Sequence, residues 1–314
     1  MIVFYFLIFL FFSVVLVKTT GFLIKLIKHL GASLGLKPFV VSSILLGLVT
    51  SLPEVVVGVV SALEGKSILA LGNVLGSNIA DIGLALGIAA IVSGGIVVTD
   101  SVVFKDATVA FFLMLLPIFL LADKNLSLID GLILILVYIW YNLSIAKERK
   151  DVDIKAEIQS LALPKALGQF FLAIFVILFS ADILVRSATA LAEFLGVPLL
   201  LIGFFLVAIG TSLPEIVVEI EAAKERKGTI VFGDLLGSIV VNSLLALGLT
   251  AMISPIKISH FREFLGAVFF LVFIFVTFFL LIRTKRRLER WEGGVLIVIY
   301  LLFAILEFSG VLQH

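Results

Sequence analysis

The sequence predicts an all-α integral membrane protein: about ten transmembrane helices arranged as two inverted five-helix repeats, with one broken helix in each. Three observations predict it. Of 314 residues, 62% are hydrophobic and 14% charged, and the mean hydropathy is +1.29, far from the balance of a soluble domain. The chain divides into continuous apolar stretches of about the 20 residues that a bilayer crossing needs. A short polar motif also occurs twice.

The stretches run over 1–24, 39–62, 68–92, 103–122, 127–145, 166–192, 197–222, 229–253, 264–282 and 292–311. None alternates apolar and polar residues with period two, which sets a barrel aside in favour of helices. The first stretch has no basic residue before Lys18, unlike the charged leading region of a cleaved signal peptide, so it is read as a span. Two halves follow, residues 1–145 and 166–314, joined by a linker over 146–165.

Basic residues are unevenly placed. Odd-numbered loops hold Lys147, Arg149, Lys150, Lys224, Arg226, Lys227 and the run from Arg283 to Arg290, whereas even-numbered ones hold only Lys66, Lys124, Arg186, Lys257 and Arg262. The positive-inside rule puts both termini outside the cell membrane and the linker in the cytoplasm. Setting topology is also the simpler explanation of the 283–290 cluster than a lipid-binding patch. With no cysteine and no Gly-rich loop ending in Lys-Ser/Thr, thiolate metal sites, disulfides and an ATP-driven step have no support.

The duplication is long. GLVTSLPE at 47–54 repeats as AIGTSLPE at 208–215, so Glu54 and Glu215 lie 215 − 54 = 161 residues apart. GNVLGSNIAD at 72–81 faces GDLLGSIVVN at 233–242 at the same offset, Ser93 pairs with Ser254, and Gly131 and Tyr138 match Gly293 and Tyr300 at 162. Each half holds about five spans, an odd number, so the second enters the membrane with the opposite orientation. Such inverted repeats place a binding site at their interface near the midplane.

The motifs supply oxygen ligands there. Pro53 and Pro214 cannot donate to the carbonyls of Val49 and Gly210 four residues earlier, which opens backbone acceptors. A proline kink alone is usually structural, but here it recurs with a carboxylate attached. A charged carboxylate at the bilayer centre costs about 2.5–3.5 kcal/mol on insertion scales, so symmetry-related Glu54 and Glu215 call for a cation or a proton. Thr50, Ser51, Thr211 and Ser212 add hydroxyls beside them. Ser77 and Asp81, and equally Ser238 and Asn242, are spaced i, i+4 and share a helical face. This all-oxygen set suits calcium or sodium, calcium taking about 6–8 ligands. Gly72, Gly76, Gly83, Gly87, Gly233 and Gly237 around them read as close helix packing.

Other acids have plainer readings. Glu219, i+4 from Glu215 and on its face, is read as part of a helix-end charge pair with Glu221 and the basic run 224–227, with the lining of a cytoplasmic vestibule as the alternative; Asp234, in the place of Asn73, as a helix start or cap; and Asp182 with Arg186 as an i, i+4 ion pair. His29, His260 and His314 lie at segment ends, away from these acids, and support no histidine relay.

The paired GxxTSLPE and GN/GD-x-x-GS-x-x-x-D/N motifs resemble the alpha-repeats of the calcium/cation antiporter superfamily, most closely its prokaryotic sodium/calcium exchanger branch, along the whole chain. The resemblance implies ten transmembrane helices with broken helices at the ion site. It implies that Glu54 and Glu215 bridge calcium with help from Thr50 and Thr211, and that Ser51, Ser212, Ser77 and Ser238 complete flanking sodium sites. The first and sixth spans become a sliding gate. Two departures stand out. Asp81 and Asn242 reverse the usual Asn and Asp while keeping three carboxylates with Glu54 and Glu215. Leu-Val-Thr in the first motif faces Ile-Gly-Thr in the second, which predicts a tighter backbone approach to the ion on one side.

The expected activity is antiport of calcium against sodium by alternating access, a transporter and not an enzyme, with the transported ions in place of any cofactor. Its partners are calcium and sodium ions and membrane lipid, with nothing pointing to nucleic acid. A proton-coupled calcium exchanger is the nearest alternative, although that branch resembles GN-x-x-E where this chain has TSLPE. Potassium coupling and a passive cation channel are further ones, the channel disfavoured by the inverted repeat. A linker of about 20 residues leaves no room for a soluble calcium-sensing domain.

Overall fold

Why the chain buries what it buries follows from its repeats. The computed structural model describes residues 2–33, 46–98, 102–148 and 163–311. Most of the linker, the beginning of the second predicted stretch and His314 lie outside them. Among the described residues, eight helical runs are long and apolar enough to cross a membrane, and a ninth crossing is a helix pair, Leu199–Thr211 and Leu213–Lys224, bent by 45°. The corresponding pair in the first half is Leu46–Thr50 and Leu52–Leu63. The helical order therefore follows the ten predicted stretches.

The breaks are duplicated in detail. They fall at Ser51, with φ −82° and ψ 8°, and at Ser212, with φ −78° and ψ 2°, in each case two residues before the proline, as an amide-free residue at the start of a new helix requires. The third and eighth spans, Ser67–Ser93 and Gly228–Ile253, each switch to a π-helical turn at the same place, Asp81–Ala85 and Val241–Ala246. Turn geometry repeats too. Lys124 and Arg286, 162 apart, take φ 67° and 50°, and Gly65 and Arg226, 161 apart, take φ 69° and 59°.

Inversion is visible in two small β-ladders. Ile96–Val97 pairs antiparallel with Arg287–Leu288, and Asn125–Leu126 with Ile256–Lys257. The first follows the third span and the second follows the fourth, so equivalent pairs of loops are tied together at opposite ends of the bundle.

The third and eighth spans form its centre: 83% and 78% of their apolar windows are buried, against 39% or less for the other six long spans. Glycines permit that centrality. An ideal Cβ on Gly72 would lie 2.3 Å from the Leu200 carbonyl oxygen, and one on Gly76 would lie 2.2 Å from that of Phe204, so the third span touches the seventh backbone to backbone. Around Gly233, the counterpart of Gly72, no atom of the described residues lies within 4 Å of the Cβ position; the stretch equivalent to Leu200 lies outside the described residues.

The two longest helices, Ile2–Ser33 and Leu163–Leu195, pack along each other. Their 32 and 33 residues make each about 48–50 Å long, well over a hydrocarbon core of about 30 Å, so they cross at a tilt. Together with Val49, Val56, Val57, Leu69, Ile202 and Val207 they form an apolar cluster separate from the main core.

Candidate cation site

Every residue predicted for the site is buried. Thr50, Ser51, Glu54, Ser77, Asp81, Thr211, Ser212, Glu215, Ser238 and Asn242 are all 0% exposed. The breaks and π turns converge where the broken span of each half meets the Gly-Ser helix of the other.

The contacts cross between repeats. Thr50 Oγ1 donates to Asp234 Oδ1 at 3.0 Å and lies 3.3 Å from Ser238 Oγ. Its counterpart Thr211 Oγ1 donates to Asn73 Oδ1 at 3.1 Å and lies 3.4 Å from Ser77 Oγ. Ser51 Oγ donates across the interface to Glu215 Oε1 at 3.4 Å, and Ser77 Oγ donates within the first half to Glu54 Oε1 at 3.2 Å. Ser212 faces both Glu54 and Asp81. At the Asn242 end, Asn242 Nδ2 donates to Asn78 Oδ1 and Asn78 Nδ2 donates to Ser243 Oγ, both at 3.1 Å.

What these contacts leave over is mostly acceptors, beside the Asn73 amide nitrogen and the Ser212 hydroxyl, which are also buried without partners. Glu54 Oε2, Glu215 Oε2, both oxygens of Asp81 and Oδ1 of Asn242 are buried without a hydrogen-bond donor. An unmet buried acceptor costs about 1–3 kcal/mol, more for a charged group. Among the described residues no Lys, Arg or His is buried to offset these acids. Nor do three or more His, Asp or Glu side chains converge on one metal-sized point there. The arrangement offers a cation paired carboxylates with hydroxyl, amide and backbone oxygens, the mixture a hard cation takes.

Three sequence readings change. Asp234 and Asn73 are not caps: their helices begin six residues earlier, at Ser67 and Gly228, and both are fully buried beside the threonines. Their i, i+4 spacing to Ser77 and Ser238 is the signal that places them on the site face. Glu219 is no helix-end pair either. It is 0% exposed with neither oxygen hydrogen-bonded, while Glu221 is exposed. The space over Gly210 is taken by a helix, since its Cβ position meets Ser13 Oγ at 3.0 Å and the Phe9 ring at 3.4 Å. Asp182 and Arg186 do pair, Nε to Oδ2 at 3.0 Å, and Arg186 Nη2 also reaches Glu64 Oε1 at 2.6 Å.

Comparison with known proteins agrees with this architecture. The sodium/calcium exchanger protein family matches residues 4–146 and 165–308, one block per repeat. The chain belongs to the sodium/calcium exchanger family. Among the relatives of this exchanger family member, the sodium/calcium exchanger MaX1 of Methanosarcina acetivorans is 28% identical over 94% of this chain and 96% of its own. The inner membrane protein YrbG of Escherichia coli is 32% identical over 72% of each chain. Structures of the sodium-calcium exchanger NCX_Mj soaked with sodium and strontium cover 96% of this chain and 98% of their own, with a TM-score of 0.68 at 24% identity. The family is one of multi-pass membrane transporters, and the helices described above fit it.

Proposed function

We propose that the protein exchanges calcium for sodium across the membrane by alternating access, with Glu54 and Glu215 as the central ligands. Thr50, Thr211, Ser51, Ser212, Ser77, Ser238, Asp81 and Asn242 supply the remaining oxygens. The observation that carries this reading is the surplus of buried acceptor oxygens on two glutamates from inverted halves, with no buried basic side chain among the described residues to neutralise them.

Coupling follows from electrostatics. Three carboxylates balance three sodium ions, or a calcium ion with one charge left over, and the two loads compete for the same oxygens. An empty site keeps desolvated, unpaired carboxylates, a state that crosses poorly between the inward-open and outward-open forms. Exchange then replaces leak. The first and sixth helices, which share an apolar cluster of their own, act as the sliding gate, and Ser13 against Gly210 is one place where that gate touches the site. Both termini lie outside.

Calcium-45 uptake into proteoliposomes under an imposed sodium, proton or potassium gradient tests the proposal. Uptake driven by outward sodium, absent in Glu54→Gln and Glu215→Gln, is expected. Uptake that follows only a pH gradient, or proceeds with no counter-gradient at channel rates, overturns it.

A further inference from the structure

The two halves are unequal in charge, and the inequality lies at one place. At the 161-residue offset, Glu219 stands where the first half has Gly58, and Asp234 where it has Asn73. Among the described residues the interior thus holds five fully buried carboxylates, Glu54, Asp81, Glu215, Glu219 and Asp234, two more than Glu54, Glu215 and Asp81 alone, and both extras belong to the second half.

Asp234 is held by Thr50. Glu219 is held by nothing: both carboxylate oxygens are buried and neither has a hydrogen-bond donor. At the equivalent place in the first half the space is filled differently. The Cβ position of Gly58 meets Thr250 Oγ1 at 2.7 Å, and Thr250 satisfies itself by donating to the Ala246 carbonyl at 2.7 Å. In the second half the helix Leu213–Lys224 packs along Leu86–Ser93, and the counterpart of Thr250 is Ala89, fully buried and with no polar atom on its side chain to offer. The first half resolves the contact with a glycine and a self-bonded threonine. The second has an unbonded carboxylate where the first has the glycine, and an alanine where the first has the threonine.

We propose that Glu219 anchors an additional monovalent-cation subsite, one helical turn from Glu215 and present in the second half only. The subsite extends the exchange site and rests on the reading of that site as cation-binding. A single positive charge suits it better than a divalent ion. One carboxylate balances one charge, no three acids converge there among the described residues, and calcium's demand for about 6–8 oxygens is met at the glutamate pair instead. The ion adds one to the sodium load without competing directly for the Glu54 and Glu215 oxygens.

The test is equilibrium binding of sodium-22 and calcium-45 to the purified full chain in detergent, for the wild type, Glu219→Gln and Glu219→Gly. The first variant keeps the shape of the side chain. The second installs the residue that the other half already tolerates, so one of them folds if the position is not structural, and retained calcium-45 binding reports an intact centre. The expected result is one fewer sodium ion bound per chain at saturation in both variants, with calcium still bound. An unchanged sodium count in a variant that binds calcium overturns the subsite. A wild type whose calcium uptake ignores sodium gradients removes the proposed exchange activity, while a lower sodium count on losing Glu219 still establishes the subsite.

Discussion

Gly72 and Gly233 occupy equivalent places in the two repeats, yet the packing around them predicts opposite responses to alanine. A Cβ added at Gly72 lies 2.3 Å from the Leu200 carbonyl oxygen and 3.1 Å from Gly203 Cα. Backbone cannot rotate away as a side chain can, so the third and seventh spans separate by about 1 Å to restore ordinary contact. Overpacking of this kind costs about 1–3 kcal/mol. It also pulls Ser77 and Asn73 from Thr211, whose contacts of 3.4 and 3.1 Å do not survive such a shift as hydrogen bonds. Gly233→Ala meets no atom of the described residues within 4 Å and gains up to about 1 kcal/mol of helix propensity. Thermal unfolding monitored by size-exclusion chromatography, with calcium-45 uptake on the same samples, reads both effects. Gly72→Ala is expected to lower the midpoint and abolish most uptake, and Gly233→Ala to leave both intact or raise the midpoint. Equal responses at the two positions refute the asymmetric packing.

Further outcomes follow from individual contacts. Thr50→Val removes the donor to a carboxylate and Thr211→Val the donor to an amide, so the first is expected to destabilise by about 1.5–3 kcal/mol and the second by about 1 kcal/mol, checked by the same unfolding assay. Arg226→Gly relieves a left-handed residue where the first half has Gly65; stability should rise by up to about 1 kcal/mol, less the entropy that glycine adds to the unfolded chain. Arg186→Ala breaks exposed ion pairs with Asp182 and Glu64 and should shift stability by no more than about 1 kcal/mol in low salt, with the difference vanishing as salt is raised.

Much of this molecule is legible in its sequence because a bilayer admits few solutions for the backbone. Continuous apolar runs had to be helices, and an odd number of them per repeat had to invert. The proline in each TSLPE motif located both breaks, since a missing amide has no remedy inside a helix. What escaped was where side chains point. Asp234 and Asn73 look like caps because short polar residues usually are, and only the helix start six residues upstream, at Gly228 and Ser67, denies it. Glu219 is followed by Glu221, Lys224 and Arg226, and a charge run ordinarily marks a solvated end; the tertiary contact of its helix with Leu86–Ser93 turned this one member inward. The π turns at Asp81 and Val241 have no local signature at all, and they aim the polar faces of the two central helices.

The central claim is that Glu54 and Glu215 hold a cation together, and that calcium and sodium compete for their oxygens. Equilibrium binding of calcium-45 to the purified chain, titrated with sodium, measures this directly. The account predicts saturable calcium binding that sodium displaces and that either Glu54→Gln or Glu215→Gln removes. Calcium binding that persists in both variants, or that sodium leaves untouched, contradicts it.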